Sequence, residues 1–97
     1  VRYEVEGEVW ASGGPGGWCF LTLPQDLTEG LRAMRGPNVV AFGSMRIEAT
    51  LGGTTWRTSL FPDTSRGAFL LPLKADVRRR ERIAPGDRVQ VALEVLL

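Results

Sequence analysis

The sequence predicts a mainly β domain with two short helices, a barrel made by duplicating one β-β-α-β unit. Three observations predict it. Apolar and polar residues alternate with period two in three stretches, 2–10, 39–51 and 88–97. Twelve glycines and six prolines break 97 residues into short pieces, as strands joined by turns require. Two corners repeat one arrangement: "FLTLPQDLTEGL" at 20–31 and "FLLPLKADVRRR" at 69–80 each run from apolar residues through a proline to an acidic residue opening a charged stretch.

The elements follow in order. In "RYEVEGEVW", Tyr3, Val5, Gly7 and Val9 fall on one side and Arg2, Glu4, Glu6 and Glu8 on the other, the pattern of a half-buried strand. "ASGGPGG" is a turn, and "WCFLTL" is a more buried strand that should form a hairpin with the first. Pro24 ends it. Asp26 is placed as a helix N-cap, with Glu29 at capping-box spacing and Leu27, Leu31 and Met34 on one helical face. "RGPN" stops that helix. "VVAFGSMRIEATL" is a strand with Val39, Ala41, Met45, Ile47, Ala49 and Leu51 on one parity, ended by Gly52 and Gly53. "TTWRTSLF" is a strand by its β-branched and aromatic content, "PDTSRG" a turn and "AFLLPL" the returning strand. "DVRRRERIA" is a second short helix, with Asp76 as its cap, "PGD" a turn, and "RVQVALEVLL" an alternating last strand.

An offset of fifty aligns the halves, approximately 1–51 and 52–97. Gly17 meets Gly67, Leu21 meets Leu71, Leu23 meets Leu73, Asp26 meets Asp76, Arg32 meets Arg82, Gly36 meets Gly86 and Val39 meets Val89. The apolar parity of the last strands is preserved, which a one-residue slip would reverse. The prediction is a single domain with an internal duplication, and a monomer or weak dimer.

Composition excludes several chemistries. There is no histidine and one cysteine, Cys19, so an internal disulfide, a Ser-His-Asp or Cys-His arrangement and a histidine metal site are all ruled out. No metal, cofactor or catalytic residue is expected, and the protein is read as a non-enzyme. Cys19 in an apolar strand is a core residue. A lone cysteine, no apolar run of membrane-spanning length and no signal pattern place the chain in the cytoplasm, away from membranes. Net charge is +1, divided as −2 over residues 1–48 and +3 over 49–97. "GGPGG" at 13–17 joins two strands, so it is a hairpin turn and not a phosphate loop.

The second half, "GAFLLPLKADVRRRERIAPGDRVQV", resembles the half-barrel of AbrB/MazE-type swapped-hairpin proteins, with the Pro85-Gly86-Asp87 turn before the last strand. Nearly the whole chain, through "GGPGGWCFLTLP", "GGTTWRTSLFP" and "LLPLKADVR…GDRVQV", resembles the bacterial family of domain of unknown function nineteen-oh-five. That resemblance implies a double-split β-barrel and a small, non-enzymatic protein; fold alone does not fix function.

Two sets of residues could bind something. Trp18 and Trp56, with Arg46, Arg57, Arg66 or Lys74 as polar fixers, could line a pocket at the barrel mouth for a small anionic ligand. Trp56 and Arg57 must face opposite ways, with Trp56 inward, and Trp10 and Trp18 could stack across the first hairpin. Arg78, Arg79, Arg80 and Arg82 form a basic run that could hold nucleic-acid phosphates, whereas the resemblance to AbrB-like DNA binders implies arginines on the hairpin side, where the turns hold only Arg66. Asp26 and Asp76 are read as structural caps. The expected function is a small binding or accessory module for an unknown small molecule or protein, with DNA binding as the alternative.

Overall fold

A computed structural model describes residues 2–13, 17–35 and 44–96. Seven strands form one antiparallel sheet: β1 (Arg2–Glu8), β2 (Trp10–Ala11), β3 (Cys19–Thr22), β4 (Met45–Leu51), β5 (Thr54–Asp63), β6 (Ala68–Leu73) and β7 (Arg88–Val95). Two helices, α1 (Gln25–Arg35) and α2 (Ala75–Glu81), follow β3 and β6. The order across the sheet is β1-β7-β4-β5-β6-β3-β2. Only Val9 separates β1 from β2, so the first and last strands of the sheet are one stretch of chain. The sheet curls until its two edges meet there.

This corrects the expected first hairpin. Residues 2–8 pair with β7, in the register Val5↔Val91, and only Trp10 and Ala11 pair with β3. The switch falls at Val9, whose N–H still donates to Asp87 O (2.8 Å) and whose carbonyl accepts from Gly86 N (2.7 Å). β5 switches partners in the same way. Thr54 to Leu60 pair with β4, and Phe61 to Asp63 pair with β6. Pro62 and Asp63, expected in the turn, therefore belong to the strand.

Exchanging β1–β2 with β5, β3 with β6, and β4 with β7 leaves the strand order unchanged. The register agrees at the centre. Leu21 lies directly opposite Leu71, its partner at the offset of fifty. The last strands meet at the same offset: the β4–β7 ladder runs from Thr50↔Ala92 to Ile47↔Val95, and one step further the Leu96 N–H donates to Arg46 O at 3.0 Å, fifty residues away. β4 begins at Met45, and the pairings expected for Gly36 and Val39, together with Ala41 and the "RGPN" stop, lie outside the described residues.

The core lies inside the curl. Val5, Val9, Leu21, Leu23, Ile47, Ala49, Leu60, Phe69, Leu71, Leu73, Val91 and Leu93 are all buried, as alternation demands. Fully burying a side chain of this size contributes roughly 1.5–3 kcal/mol, so the inward stripe supplies the main driving force. Gly7 lets β1 approach this layer, because a Cβ there would stand 3.0 Å from Leu21 Cδ1.

The helices close the remaining openings. α1 buries Thr28 and Leu31, and the Thr28 hydroxyl accepts a hydrogen bond from the Phe69 N–H at 3.2 Å. The Met34 side chain, expected on that face, lies outside the described residues. α2 buries Val77 and is tied to the sheet by Glu81, whose carboxylate accepts from Thr54 Oγ1 at 2.6 Å. It stops at Arg82, which takes a left-handed conformation (φ 55°), so the helix is shorter than the predicted run to Ala84. The following turn is ordered by Asp87, whose carboxylate accepts from Ala84 N at 2.9 Å.

The cap assignments are also corrected. Lys74 holds the N-cap position of α2, and Asp76 sits within the first turn, accepting from the next residue's N–H (Val77, 3.0 Å). Asp26 likewise sits one residue inside α1 and accepts from Leu27 N at 2.9 Å. Both carboxylates favour the positive helix end without replacing the cap.

Candidate functional site: an outer aromatic belt

The expected pocket residues do not converge on one mouth. Trp56 faces inward opposite Ala49 and packs against the core, as its parity with Arg57 required. Its indole Nε1 is buried and has no hydrogen-bond partner among the described residues. Arg46 and Arg57 lie on the outer face of β4 and β5, where Arg57 Nε bonds Glu48 Oε2 at 3.4 Å. Trp18, Arg66 and Lys74 gather elsewhere, around the outer face of β2-β3-β6-β5.

That face is built by register. Trp10 lies opposite Phe20, Phe20 opposite Pro72, Thr22 opposite Leu70, and Leu70 opposite Phe61. Directly opposite residues share a face, and this one points away from the core because Cys19, Leu21, Phe69 and Leu71 occupy the other. The Ser12 N–H donates to Trp18 O at 2.9 Å and carries the register one step further, adding Trp18 to the same face. Lys74 follows Leu73, which pairs with Cys19, so one more step sets it across from Trp18. The result is an aromatic belt. Trp18 is 60% exposed and Phe61 46%, the two exposed large hydrophobic residues among those described.

The belt is held in place at Trp10. Its ring centroid lies 5.2 Å from that of Phe20, and its Nε1–H donates to Thr22 Oγ1 at 2.8 Å. The Arg66 guanidinium stacks on the ring, 4.1 Å from the centroid. Trp10 thus contacts both Phe20 and Arg66, and its ring packs, tilted by 37°, with Phe20 rather than with Trp18. Arg66 is fixed from behind: its Nη1 bonds Asp63 Oδ2 at 2.6 Å. Asp63 Oδ1 accepts from Ser65 Oγ (2.6 Å) and from the backbone N–H groups of Ser65 (3.0 Å) and Arg66 (3.4 Å). Hydrogen bonds from Ser65 and then Arg66 pull the Asp63 carboxyl down to about 2, so it stays an anion throughout the neutral range.

The outer face of β1-β7-β4 and the first part of β5 is polar instead. Arg2, Glu94, Glu48 and Arg57 line up across four strands by direct pairing. Arg88 bonds Glu6 (3.0 Å) and Gln90 bonds Glu4 (3.0 Å). A shallow cleft of about 200 Å³ lies among Arg2, Glu48, Thr50, Ala92, Leu93 and Glu94. The outer surface is thus divided: charged around β7 and β4, aromatic around β3 and β6.

The basic run is also divided. Arg78 Nε turns back to bond Leu73 O at 3.1 Å, while Arg79, Arg80 and Arg82 are exposed. Cys19 is a buried free thiol. Among the described residues no cluster of acidic or cysteine side chains could hold a metal ion, and no helix is long and apolar enough to cross a membrane.

Sequence reasoning missed Phe20 and Phe61, and it did not assign Trp10 to a binding face. The signal was present: Trp10 has the parity of Glu4, Glu6 and Glu8, and Phe61 that of Arg57 and Ser59. An aromatic ring on the charged parity of a strand marks an outward ring. The chain belongs to the family described as domain of unknown function (DUF1905), whose model matches residues 6–93. No curated protein matches it.

Proposed function

We propose that this DUF1905 chain is a small, non-enzymatic binding module that recognises its partner through the outer aromatic belt. The exposure of Trp18 and Phe61, on a face where Trp10 is already clamped by Phe20 and Arg66, carries the reading. Exposed rings contribute nothing to folding, and a clustered aromatic face beside a fixed guanidinium has the composition of a docking surface. A ligand inside the barrel mouth is less well supported, because Trp56 and Trp18 are on opposite faces of the sheet. Duplex recognition by α2 is weakened by Arg78, which is spent on a backbone carbonyl.

We also read the fold as a double-split barrel formed by internal duplication. The exchange symmetry of the strand order, the Leu21↔Leu71 pairing and the shared partner switch in β1–β2 and β5 support it. On that reading Trp10 with Phe20 and Phe61 with Leu70 are equivalent pairs, and the belt straddles the axis relating the halves.

Indole N–H signals test the binding reading. Three are expected, from Trp10, Trp18 and Trp56, each assigned by a Trp→Phe variant. Titration with aromatic carboxylate fragments should move the Trp10 and Trp18 signals and leave Trp56 in place. Movement of Trp56 alone would return the site to the barrel interior, and no movement at all would count against the belt.

A further inference from the structure

We propose that the partner of the belt is a single-stranded nucleic acid, its bases stacked on the exposed rings; this rests on the belt being the binding surface. Two of the rings stand beside a cation. Trp10 has Arg66 stacked on it at 4.1 Å, and Trp18 has exposed Lys74 one register step beyond the Cys19↔Leu73 pair. Ring-plus-cation is the chemistry of a base and its phosphate, since every base has a π face and every linkage a charge. The Arg66 side chain beside Trp10 is 46% exposed, and its guanidinium N–H groups beyond the one on Asp63 suit base carbonyls, which an apolar protein partner would leave unpaired.

Shape and charge set the path. Trp10 and Phe61 are three inter-strand steps and two residues along the strand apart, about 16 Å, on the convex side of the sheet. Rings there are reached by splayed bases, whereas a duplex keeps its bases stacked on each other. Glu4, Glu6 and Glu8 extend from Trp10 along β1 and repel phosphates, so the strand runs across β3, β6 and β5. Lys74 provides the phosphate contact, because Arg66 is already paired with the Asp63 carboxylate.

Anisotropy of labelled oligo(dT) and oligo(rU), with a duplex of equal length as control, tests this across a salt series. Single strands should bind and the duplex should not. The slope of log Kobs against log salt should lie near about −0.7, the value for one phosphate on a single strand. Trp18→Ala and Phe61→Ala, both at exposed positions, should each weaken binding at least about fivefold with the circular dichroism unchanged. Absence of binding at the lowest salt overturns the proposal. So does a slope of −2 or steeper that survives Trp18→Ala but is lost in Arg79→Ala/Arg80→Ala/Arg82→Ala, which would place the contact on α2. If aromatic fragments move the Trp10 and Trp18 indole signals while no oligonucleotide binds, the belt remains the binding surface and nucleic acid is excluded.

Discussion

Gly52→Ala probes the attachment of α2 to the sheet. Gly52 sits in the β4–β5 turn at φ 58°, and an added Cβ would collide with Glu81 Oε1. Two separable costs follow. The left-handed backbone costs an alanine about 1 kcal/mol relative to glycine. The collision itself is cheap, because a carboxylate at the end of a flexible side chain can swing aside. Swinging aside, however, breaks the 2.6 Å bond from Thr54 Oγ1, and Thr54 is only 6% exposed. A hydrogen bond to a charged group contributes roughly 1.5–3 kcal/mol, so the total is about 3 kcal/mol. Urea denaturation followed by tryptophan fluorescence measures it, and Glu81→Ala separates the parts. With Glu81 already truncated, Gly52→Ala should cost only the backbone part, about 1 kcal/mol. Equal costs in both backgrounds would refute the reasoning, because the loss would then not pass through the Thr54–Glu81 bond.

Further outcomes are expected. Arg82→Gly should stabilise the domain by about 1 kcal/mol in the same assay, because Arg82 holds φ 55° at the end of α2; a loss of stability would mean its side chain anchors the helix. Leu21→Ala and Leu71→Ala should each cost about 3 kcal/mol, and the double variant less than the sum, since the two face each other and would share one cavity. Asp63 has a folded-state pKa below its unfolded one, so its contribution is complete above 3.8 and disappears as pH falls through about 2. A carboxyl NMR titration should show that midpoint with the Trp10 indole signal moving alongside it; a midpoint near 4 and a static Trp10 would mean that the carboxylate does not order the Arg66 clamp.

Strand parity was legible because a half-buried strand writes its two faces directly into the sequence. Val5 and Val9 went inward, Trp56 inward and Arg57 outward, as alternation required. Parity does not say which strand lies alongside. The partner of β1 is β7, more than eighty residues away, and nothing in "RYEVEGEVW" distinguishes it from the nearby β3. The repeat offset of fifty was legible in the shared parity of the last strands, and it recurs where Leu21 faces Leu71 and where Leu96 bonds Arg46. The site was less legible than the fold. Trp18, Lys74 and Arg66 were legible as binding residue types, but assembling them with Phe20, Phe61 and Trp10 needs the order of β2, β3, β6 and β5. Asp26 and Asp76 were misassigned by one or two positions, the usual uncertainty of a helix start read from sequence.

The stretch 2–11 forms both margins of the sheet, and this has a consequence for how the chain folds. Its bonds to β7 join residues such as Arg88 and Glu6 or Gln90 and Glu4, separated by more than eighty positions, while the β4–β5 and β5–β6 hairpins close locally. Hairpins form in microseconds, and long-range closure must wait for its loop entropy to be overcome. During synthesis β1 emerges well before β7. Until β7 arrives, Val5 and Val9 have no opposite strand on that side, and the glutamates of β1 repel other copies in the same condition. The closing strand is thus available early and paired late, and the same segment from a neighbouring chain could complete the sheet by exchange.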